Sequence, residues 1–225
     1  MTEQEEIELA QLRLGMVSLI AAYVQLSGDQ INKEKLDDRV MAAMRRVPRH
    51  DFVPLEMRPF AYADGPLPIG CGKTVSQPFM VALMTDLLEL NEDDRVLEIG
   101  TGLGYHAAVM AELAKEVCSV EIIEELAEQA QRRLEAAGYR NIRFRIGDGG
   151  YGWPDYGPYD KILVAAACEL IPPPLLEQLK PGGRMVIPSG LEDAQQLLLV
   201  DKDSSGRIKT QEIIPVLFAP LVVSH

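Results

Sequence analysis

The sequence is poor in residues that bind metals or form disulfides. Its cysteines are odd in number and form no C-x-x-C pair: Cys71, Cys118 and Cys168. They fit small buried residues in a reducing compartment better than a disulfide framework or a zinc site. The histidines are scattered, without the spacing of metal ligands: His50, His106 and His225. We therefore expect them to be structural or solvated, and we predict no metal site.

Basic charge is also scarce. The 225 residues include 22 Lys and Arg against 34 Asp and Glu, which gives a formal charge of −12. This balance argues against nucleic acid or an anionic membrane as the main partner. The N-terminus is acidic and lacks a signal-peptide pattern, and no apolar run approaches membrane-spanning length. We expect a soluble, cytoplasmic protein that acts as a monomer.

The first third of the chain reads as helices followed by a long loop. Apolar spacing predicts a helix over about residues 5–27 and a second over about 33–47, which Pro48 ends. Residues 48–75 are rich in Pro and Gly and show no clear period, and a loop of that length in a compact domain is usually functional. The next helix opens at Ser76-Gln77-Pro78.

From Arg95 to Pro188 the pattern alternates between strand and helix, with strands near 95–99, 117–121, 142–146, 161–165 and 184–188. This predicts an α/β fold with a doubly wound, mostly parallel sheet and helices on both faces. Residues 195–200 and 208–216 read as an antiparallel hairpin at its edge. We divide the chain into a capping region, 1–75, and a catalytic or binding domain, 76–225, within one compact unit.

A strand leads directly into a glycine-rich turn and a helix at residues 96–105, VLEIGTGLGY. Such a turn lets a nucleotide-like ligand lie against bare backbone at the carboxyl end of a parallel sheet. The glycines also fit the dinucleotide pattern G-x-G-x-x-G/A, so NAD is an alternative. Glu98 favours S-adenosylmethionine, because a carboxylate would repel a pyrophosphate but suits an ammonium and a sulfonium. The predicted contacts in this stretch are Glu98, Gly100, Thr101, Gly102 and Gly104.

Acidic residues follow the next two strands as well. Glu121 lies 21 residues after Gly100 and could accept both ribose hydroxyls, or it could be a helix-capping acid. Asp148 could accept from the exocyclic amine of adenine, or it could be a turn aspartate between glycines. We add the neighbouring Ile122 and Gly149 to the predicted cofactor site. Three consecutive strands that each end in an acid point to one crevice.

Three segments strongly resemble the protein-L-isoaspartate O-methyltransferases: residues 67–80, LPIGCGKTVSQPFM; residues 96–102, VLEIGTG; and residues 179–184, LKPGGR. The resemblance runs from about Val40 to Pro220. It implies that Ser76 is the active-site serine of the family's G-x-T-[IV]-S-x-P-x-M segment and that Thr74 and Val75 border the cofactor. The implied activity is methyl transfer from S-adenosylmethionine to the free α-carboxylate of L-isoaspartyl and D-aspartyl residues, which starts the repair of damaged proteins through a succinimide.

The resemblance agrees with what the chain lacks. An α-carboxylate with a pKa of roughly 3.3–3.7 is already ionised near neutral pH, so no general base is needed. The enzyme's task would be to position a carboxylate oxygen and to exclude water. Read without the family, Ser76 before Gln77-Pro78 also looks like an ordinary helix N-cap, and the two roles are compatible.

Two places depart from the family pattern. Residues 165–168 read Ala-Ala-Ala-Cys where the family commonly has prolines after the alanines, and we expect Cys168 to be a packing residue. Residues 217–221 read LFAPL where the family often has an arginine first, in a region that helps to cover the substrate. Two alternative functions stay open. One is a dedicated peptide-tailoring methyltransferase that forms aspartimide in one biosynthetic partner, and the other is a non-enzymatic nucleotide or S-adenosylmethionine binder.

Overall fold

The computed structural model describes residues 2–222. Its central feature is a seven-stranded sheet in the order β5-β4-β3-β6-β7-β8-β9. The strands are β3 (Arg95–Ile99), β4 (Glu116–Glu121), β5 (Ile142–Ile146), β6 (Tyr159–Val164), β7 (Leu179–Leu191), β8 (Ala194–Lys202) and β9 (Ile208–Val216). The pairs from β5 to β7 are parallel, whereas β8 is antiparallel to both β7 and β9. The predicted mostly parallel sheet with an antiparallel hairpin edge is confirmed.

The strand order of the sheet reverses at β3. Strands β4 and β5 follow β3 on one side, and β6 then pairs with the other side of β3. In open α/β sheets, ligands bind outside the carboxyl ends of the strands at such a switch point. The fold therefore places a crevice beyond Ile99 and Val164, the last residues of β3 and β6.

Within residues 2–222, six α-helices accompany the sheet: α1 (Glu3–Ile31), α2 (Asp38–Arg46), α3 (Pro78–Leu87), α4 (Tyr105–Ala111), α5 (Glu124–Ala136) and α6 (Pro173–Gln178). A capping box formed by Thr2 and Glu5 starts α1. The helix ends at Asn32, which has a left-handed backbone with φ 52°. Helix α1 is longer than the predicted 5–27. Helix α2 is shorter than the predicted 33–47, because Asp37 caps its start by accepting from the Arg39 N–H at 2.7 Å.

The expectation that no apolar run approaches membrane-spanning length is wrong for α1. By length and composition, residues 4–31 could cross a membrane. In the structure, 22% of the most apolar 18-residue stretch of this helix is buried. No charged residue interrupts the stretch between Arg13 and Asp29. The buried side of α1 packs into the protein core through Met16, Val17, Ile20 and Val24.

The segment predicted as a long loop is more ordered than its composition suggests. It contains short 3₁₀ helices at Arg49–Phe52 and Leu55–Phe60 and a hairpin of β1 (Leu67–Gly70) and β2 (Lys73–Val75). These elements are too short to produce a readable period. Ile69 of the hairpin is buried against Leu103 and Leu126, so the hairpin is anchored to the glycine turn and to α5.

Apolar side chains cover both faces of the sheet. On one face, the largest core cluster joins α1 to α4 with Val96, Val117 and Leu163. On the other face, a second cluster contains Leu97, Ile99 and the buried Cys118. The strand alternation of period two produces this division. The first cluster includes residues from both predicted parts of the chain, 1–75 and 76–225.

Candidate active site

A cleft lies at the switch point, at the carboxyl ends of β3, β4 and β6. It contains about 710 Å³ of space that opens to solvent. Its walls come from the hairpin, the strand ends and the C-terminal tail: Ile69, Lys73, Thr74, Ser76, Ile99, Gly100, Gly102, Val120, Glu121, Ile122, Leu126, Gly149, Ala165, Ala166 and residues 218–222. Seven of the twelve predicted site residues border this cleft: Thr74, Ser76, Gly100, Gly102, Glu121, Ile122 and Gly149.

The glycine turn forms the floor of the cleft. Gly100 has φ +92° and Gly102 has φ +57°, a backbone region that side chains rarely adopt, and both border the cleft. Gly104 has another role. It precedes α4, and a Cβ at this position would lie 2.6 Å from Leu134 Cδ1, so the glycine allows close packing of the turn against α5.

Glu121 ends β4 and is largely buried, with 6% of the residue's surface exposed. One oxygen accepts from the Gly102 N–H at 2.9 Å, and the other accepts from the Ile123 N–H at 3.0 Å. These bonds fix the carboxylate while each oxygen keeps a second lone pair for a ligand hydroxyl. Glu121 does not cap α5, whose N-cap is Ile123 without a side-chain capping bond.

The structure places Glu98 away from the cleft. Its side chain is fully buried in β3 and accepts a hydrogen bond from the Ser119 hydroxyl of β4. Ser119 also bonds to the Thr101 hydroxyl, with 2.5 Å between the oxygens, so this chain of polar groups runs below the glycine turn. Burial raises the pKa of Glu98 to about 8, and the nearby Glu121 charge adds to the rise, against the Ser119 hydrogen bond. Glu98 does not border the cleft in this structure, and its contact with a ligand ammonium stays a prediction.

Asp148 and Gly149 follow β5 at the edge of the cleft. Asp148 accepts from the Gly150 N–H at 2.7 Å and so caps the short 3₁₀ helix Gly149–Tyr151. Gly149 borders the cleft and packs so tightly that a Cβ would overlap Cγ2 of Ile99. The Asp148 side chain is not part of the cleft wall, although its backbone turn sets the position of Gly149.

Ser76 lies between two depressions. It borders the cleft, and it also borders an adjacent groove formed by Pro66, Gln77, Met80 and the segment Pro215–Phe218. The N-cap of α3 is Gln77, so Ser76 is outside the capping position that the sequence allowed. Within residues 2–222 the Ser76 hydroxyl forms no hydrogen bond, whereas its carbonyl accepts from Arg49 Nη2 at 2.7 Å. Val75, the remaining predicted residue, packs into the core instead of lining the cleft.

The C-terminal tail closes the cleft on one side, in the region that the resemblance implies for covering the substrate. The Ala167 N–H donates to the Ala219 carbonyl at 2.8 Å, and the Leu221 N–H donates to the Ala167 carbonyl at 2.7 Å. Gln195 holds Phe218 by accepting from its N–H at 2.7 Å and donating to its carbonyl at 3.1 Å. The small residues Ala165 and Ala166 border the cleft beside this tail.

None of the histidines or cysteines within residues 2–222 borders the cleft. His106 is buried beside Thr85, and burial lowers its pKa to about 3. His50 bonds to the Tyr62 hydroxyl at 2.7 Å, and His225 lies outside the described residues. Burial raises the pKa of the Cys168 thiol, which agrees with a packing role. Among residues 2–222, no three His, Cys, Asp or Glu side chains form a group that could hold a metal ion.

Comparisons with known proteins agree with the geometry. Residues 25–225 match the family model described as protein-L-isoaspartate(D-aspartate) O-methyltransferase. The chain is 57% identical over 216 residues to protein-L-isoaspartate O-methyltransferase 1 of Polaromonas sp. strain JS666, covering 96% of this chain and 92% of that relative. It is 54% identical over 190 residues to protein-L-isoaspartate O-methyltransferase of Methanothrix thermoacetophila, covering 83% and 89% of the two chains.

A solved structure of a protein-L-isoaspartate O-methyltransferase superposes with a TM-score of 0.79 at 31% identity, over 92% of this chain. This chain spans 65% of the length of that one. A Plasmodium falciparum structure, described as a putative member in complex with S-adenosyl-L-homocysteine, shares the fold with a TM-score of 0.74 at 22% identity, over 90% of this chain and 96% of that one. The chain belongs to the protein-L-isoaspartate(D-aspartate) O-methyltransferase family.

Proposed function

We propose that this protein transfers a methyl group from S-adenosylmethionine to the free α-carboxylate of L-isoaspartyl and D-aspartyl residues in damaged proteins and peptides. One observation carries the proposal beyond family membership. The cleft at the strand ends and the adjacent groove share Thr74, Ser76 and Phe218 as a common border. A donor in the cleft and a peptide in the groove would therefore meet at the Ser76 segment.

The cleft fits S-adenosylmethionine in shape and chemistry. Gly100 and Gly102 present bare backbone where an amino-acid moiety could lie, and the fixed Glu121 carboxylate suits two ribose hydroxyls. Ile122 and Leu126 offer apolar surface to an adenine ring, and Gly149 leaves space that a side chain would fill. The donor supplies an electrophilic methyl carbon bound to a sulfonium.

The residues around Ser76 suit an anionic acceptor. The Ser76 hydroxyl has no bond within residues 2–222, so it can donate to a substrate carboxylate. It precedes the ten-residue helix α3, whose N-terminal dipole favours negative charge. Lys73 adds a positive side chain to the cleft wall. A carboxylate oxygen held there attacks the methyl carbon, the carbon–sulfur bond breaks, and its electron pair stays on sulfur, so that no proton needs to move.

The test is transfer of labelled methyl to a matched pair of peptides that differ only in isoaspartate against aspartate. We expect methyl ester on the isoaspartyl peptide alone, with release of S-adenosylhomocysteine. Esterification that is confined to aspartate in one partner peptide would favour the peptide-tailoring alternative. Binding of S-adenosylhomocysteine without transfer to any acceptor would favour the non-enzymatic binder.

Variants of Ser76 test its proposed catalytic role. Because Gln77 holds the cap position, Ser76→Ala should change stability by only about 0.5 kcal/mol or less. Turnover should fall by about a hundred- to a thousand-fold, the usual effect of losing one donor in a water-excluded site. Ser76→Asp should be folded but nearly inactive, because a fixed negative charge repels the acceptor carboxylate. A folded Ser76→Asp protein with normal turnover would refute the role.

We also propose that the enzyme acts as a cytoplasmic monomer without nucleic acid or a membrane as partner. The formal charge of −12 supports the part of this proposal that concerns nucleic acid. Sedimentation of the full chain with and without lipid vesicles tests the monomeric state and the lack of membrane binding. The vesicle measurement matters most, because α1 exposes an apolar face that could bind lipid.

A further inference from the structure

Arg49 is a buried cation without an anionic partner. Its side chain is fully buried in the 3₁₀ helix Arg49–Phe52, and none of the ion pairs within residues 2–222 includes it. One of its nitrogens, Nη1, has no hydrogen-bond partner. Burial of a charge is unfavourable unless specific bonds compensate, and an apolar side chain of similar size would avoid the penalty. The position therefore calls for an explanation in terms of what the guanidinium holds.

The guanidinium binds backbone on both sides of the segment that covers the cleft. Nε donates to the Ala61 carbonyl at 2.9 Å, and Nη2 donates to the Ser76 carbonyl at 2.7 Å. Residues 62–75 between these two anchors include the β1–β2 hairpin, which supplies Ile69, Lys73 and Thr74 to the cleft wall. One rigid side chain thus sets the distance between the two ends of the covering segment.

The same side chain touches the helix that follows the glycine turn. Its guanidinium carbon lies 4.8 Å from the ring centroid of Tyr105, the first residue of α4. Tyr105 is itself buried, so this contact is shielded from water. Arg49 therefore connects the Ser76 segment with the floor of the cleft.

We infer that Arg49 is a positioning residue: it holds the Ser76 backbone and the base of segment 62–75 in register with the glycine turn, and so places the Ser76 hydroxyl for the acceptor carboxylate. The role rests on the proposed function. It requires the planar fork of arginine, because the ammonium of lysine lacks that fixed pair of donors. Arg49 acts through Ser76 and does not itself border the cleft.

The test compares Arg49→Lys and Arg49→Met with Arg46→Lys, a control whose exposed side chain pairs with Glu112. Both Arg49 variants should lower kcat on the isoaspartyl peptide by about 10- to 100-fold, the scale of a small misplacement of a reacting group. Affinity for S-adenosylhomocysteine should fall by a smaller factor than kcat, because the hairpin borders the cleft but the bonds that Glu121 makes are untouched. Arg49→Met removes a buried charge but leaves the carbonyls of Ala61 and Ser76 without their donor, so thermal unfolding is measured beside kcat, and Arg49→Lys is the variant that keeps the charge.

A double-mutant cycle with Ser76→Ala separates positioning from general support of the fold. If Arg49 acts through Ser76, Arg49→Lys should change kcat little in the Ser76→Ala background. An equal fold-loss in both backgrounds, or a kcat within twofold of wild type for both single variants, would overturn the inference.

Hydrogen exchange gives a readout that does not depend on the acceptor. Amides in residues 62–75 should exchange faster in Arg49→Lys and Arg49→Met than in wild type, while those of Arg46→Lys should not. Unchanged exchange of this segment would overturn the inference even if the wild-type protein methylated no isoaspartyl peptide. Faster exchange together with an inactive wild type would instead refute the proposed function alone.

Discussion

Glu121 offers a direct test of the cofactor site, because its geometry is fully specified. Each carboxylate oxygen already accepts one backbone N–H, at 2.9 Å from Gly102 and 3.0 Å from Ile123. Glu121→Gln keeps the size of the side chain but replaces one oxygen by an amino group that would face one of those N–H groups. The variant should lose one ribose hydrogen bond and loosen the turn at Gly102 or at Ile123.

The expected magnitude follows from a hydrogen bond to a charged group, which contributes about 1.5–3 kcal/mol. The dissociation constant for S-adenosylhomocysteine, measured by calorimetry, should therefore rise by about 10- to 150-fold. Glu124→Gln is the matched control, because Glu124 is an exposed acid in the first turn of the following helix. The affinity of Glu124→Gln for S-adenosylhomocysteine should equal that of wild type.

A ligand without one ribose hydroxyl completes the cycle. If Glu121 binds that hydroxyl, the deoxy analogue should bind wild type more weakly but should lose little more in Glu121→Gln. An affinity for S-adenosylhomocysteine within twofold of wild type in Glu121→Gln would refute the ribose assignment. So would an equal loss for both ligands, since that would mean that Glu121 acts only by holding the loop.

Three further predictions address the surroundings of the site. Amides in the segment from about Ala63 to Val75 should exchange more slowly when S-adenosylhomocysteine is bound, because the hairpin borders the cleft; equal exchange in both states would contradict closure. Glu98 should make the protein less stable as pH rises from about 4.5 to 8, by up to about 1.4 kcal/mol per pH unit, because the folded state keeps a proton that the unfolded state releases. The unfolding free energy, measured with urea, should depend less on pH in Glu98→Gln than in wild type. The same pH dependence in both proteins would argue against a neutral Glu98. Gly149→Ala should cost about 1–3 kcal/mol by overpacking against Ile99, whereas Gly147→Ala, with only Arg145 Nε near its Cβ at 3.5 Å, should be close to neutral.

The sequence predicts the sheet well because the relevant signals are local. Strands β3, β4 and β5 lie within one residue of their predicted bounds, and β9 has the predicted bounds, Ile208–Val216. The fold also places Glu121 where a second-strand acid should be. Each of these signals is a short apolar run or a glycine cluster, which depends little on distant parts of the chain.

Side-chain direction is what the sequence does not supply. Glu98 reads as an acid at the mouth of a turn, yet its side chain is fully buried and accepts a hydrogen bond from the Ser119 hydroxyl. Ile99, the next residue along, is the one that borders the cleft. Neighbouring residues of a strand point to opposite faces of the sheet, so Glu98 and Ile99 face different sides. The register of β3 against β4, which pairs Glu98 with Ser119, determines which side chains meet on each face.

The two halves of the proposed reaction centre differ in how they are built. The donor side is built on strand ends and a glycine turn, whose positions the sheet itself fixes, and the hairpin and the C-terminal tail complete its walls. The acceptor side comes from the hairpin region, residues 66–77, and from residues 215–218 at the end of β9, which are far apart in the chain. Those segments are held by a few side chains that touch no ligand: Arg49 on the carbonyl of Ser76, and Gln195 on the backbone of Phe218. Because the acceptor side depends on these supports more than the donor side does, substitutions at Arg49 or Gln195 should lower acceptor turnover by a larger factor than donor affinity.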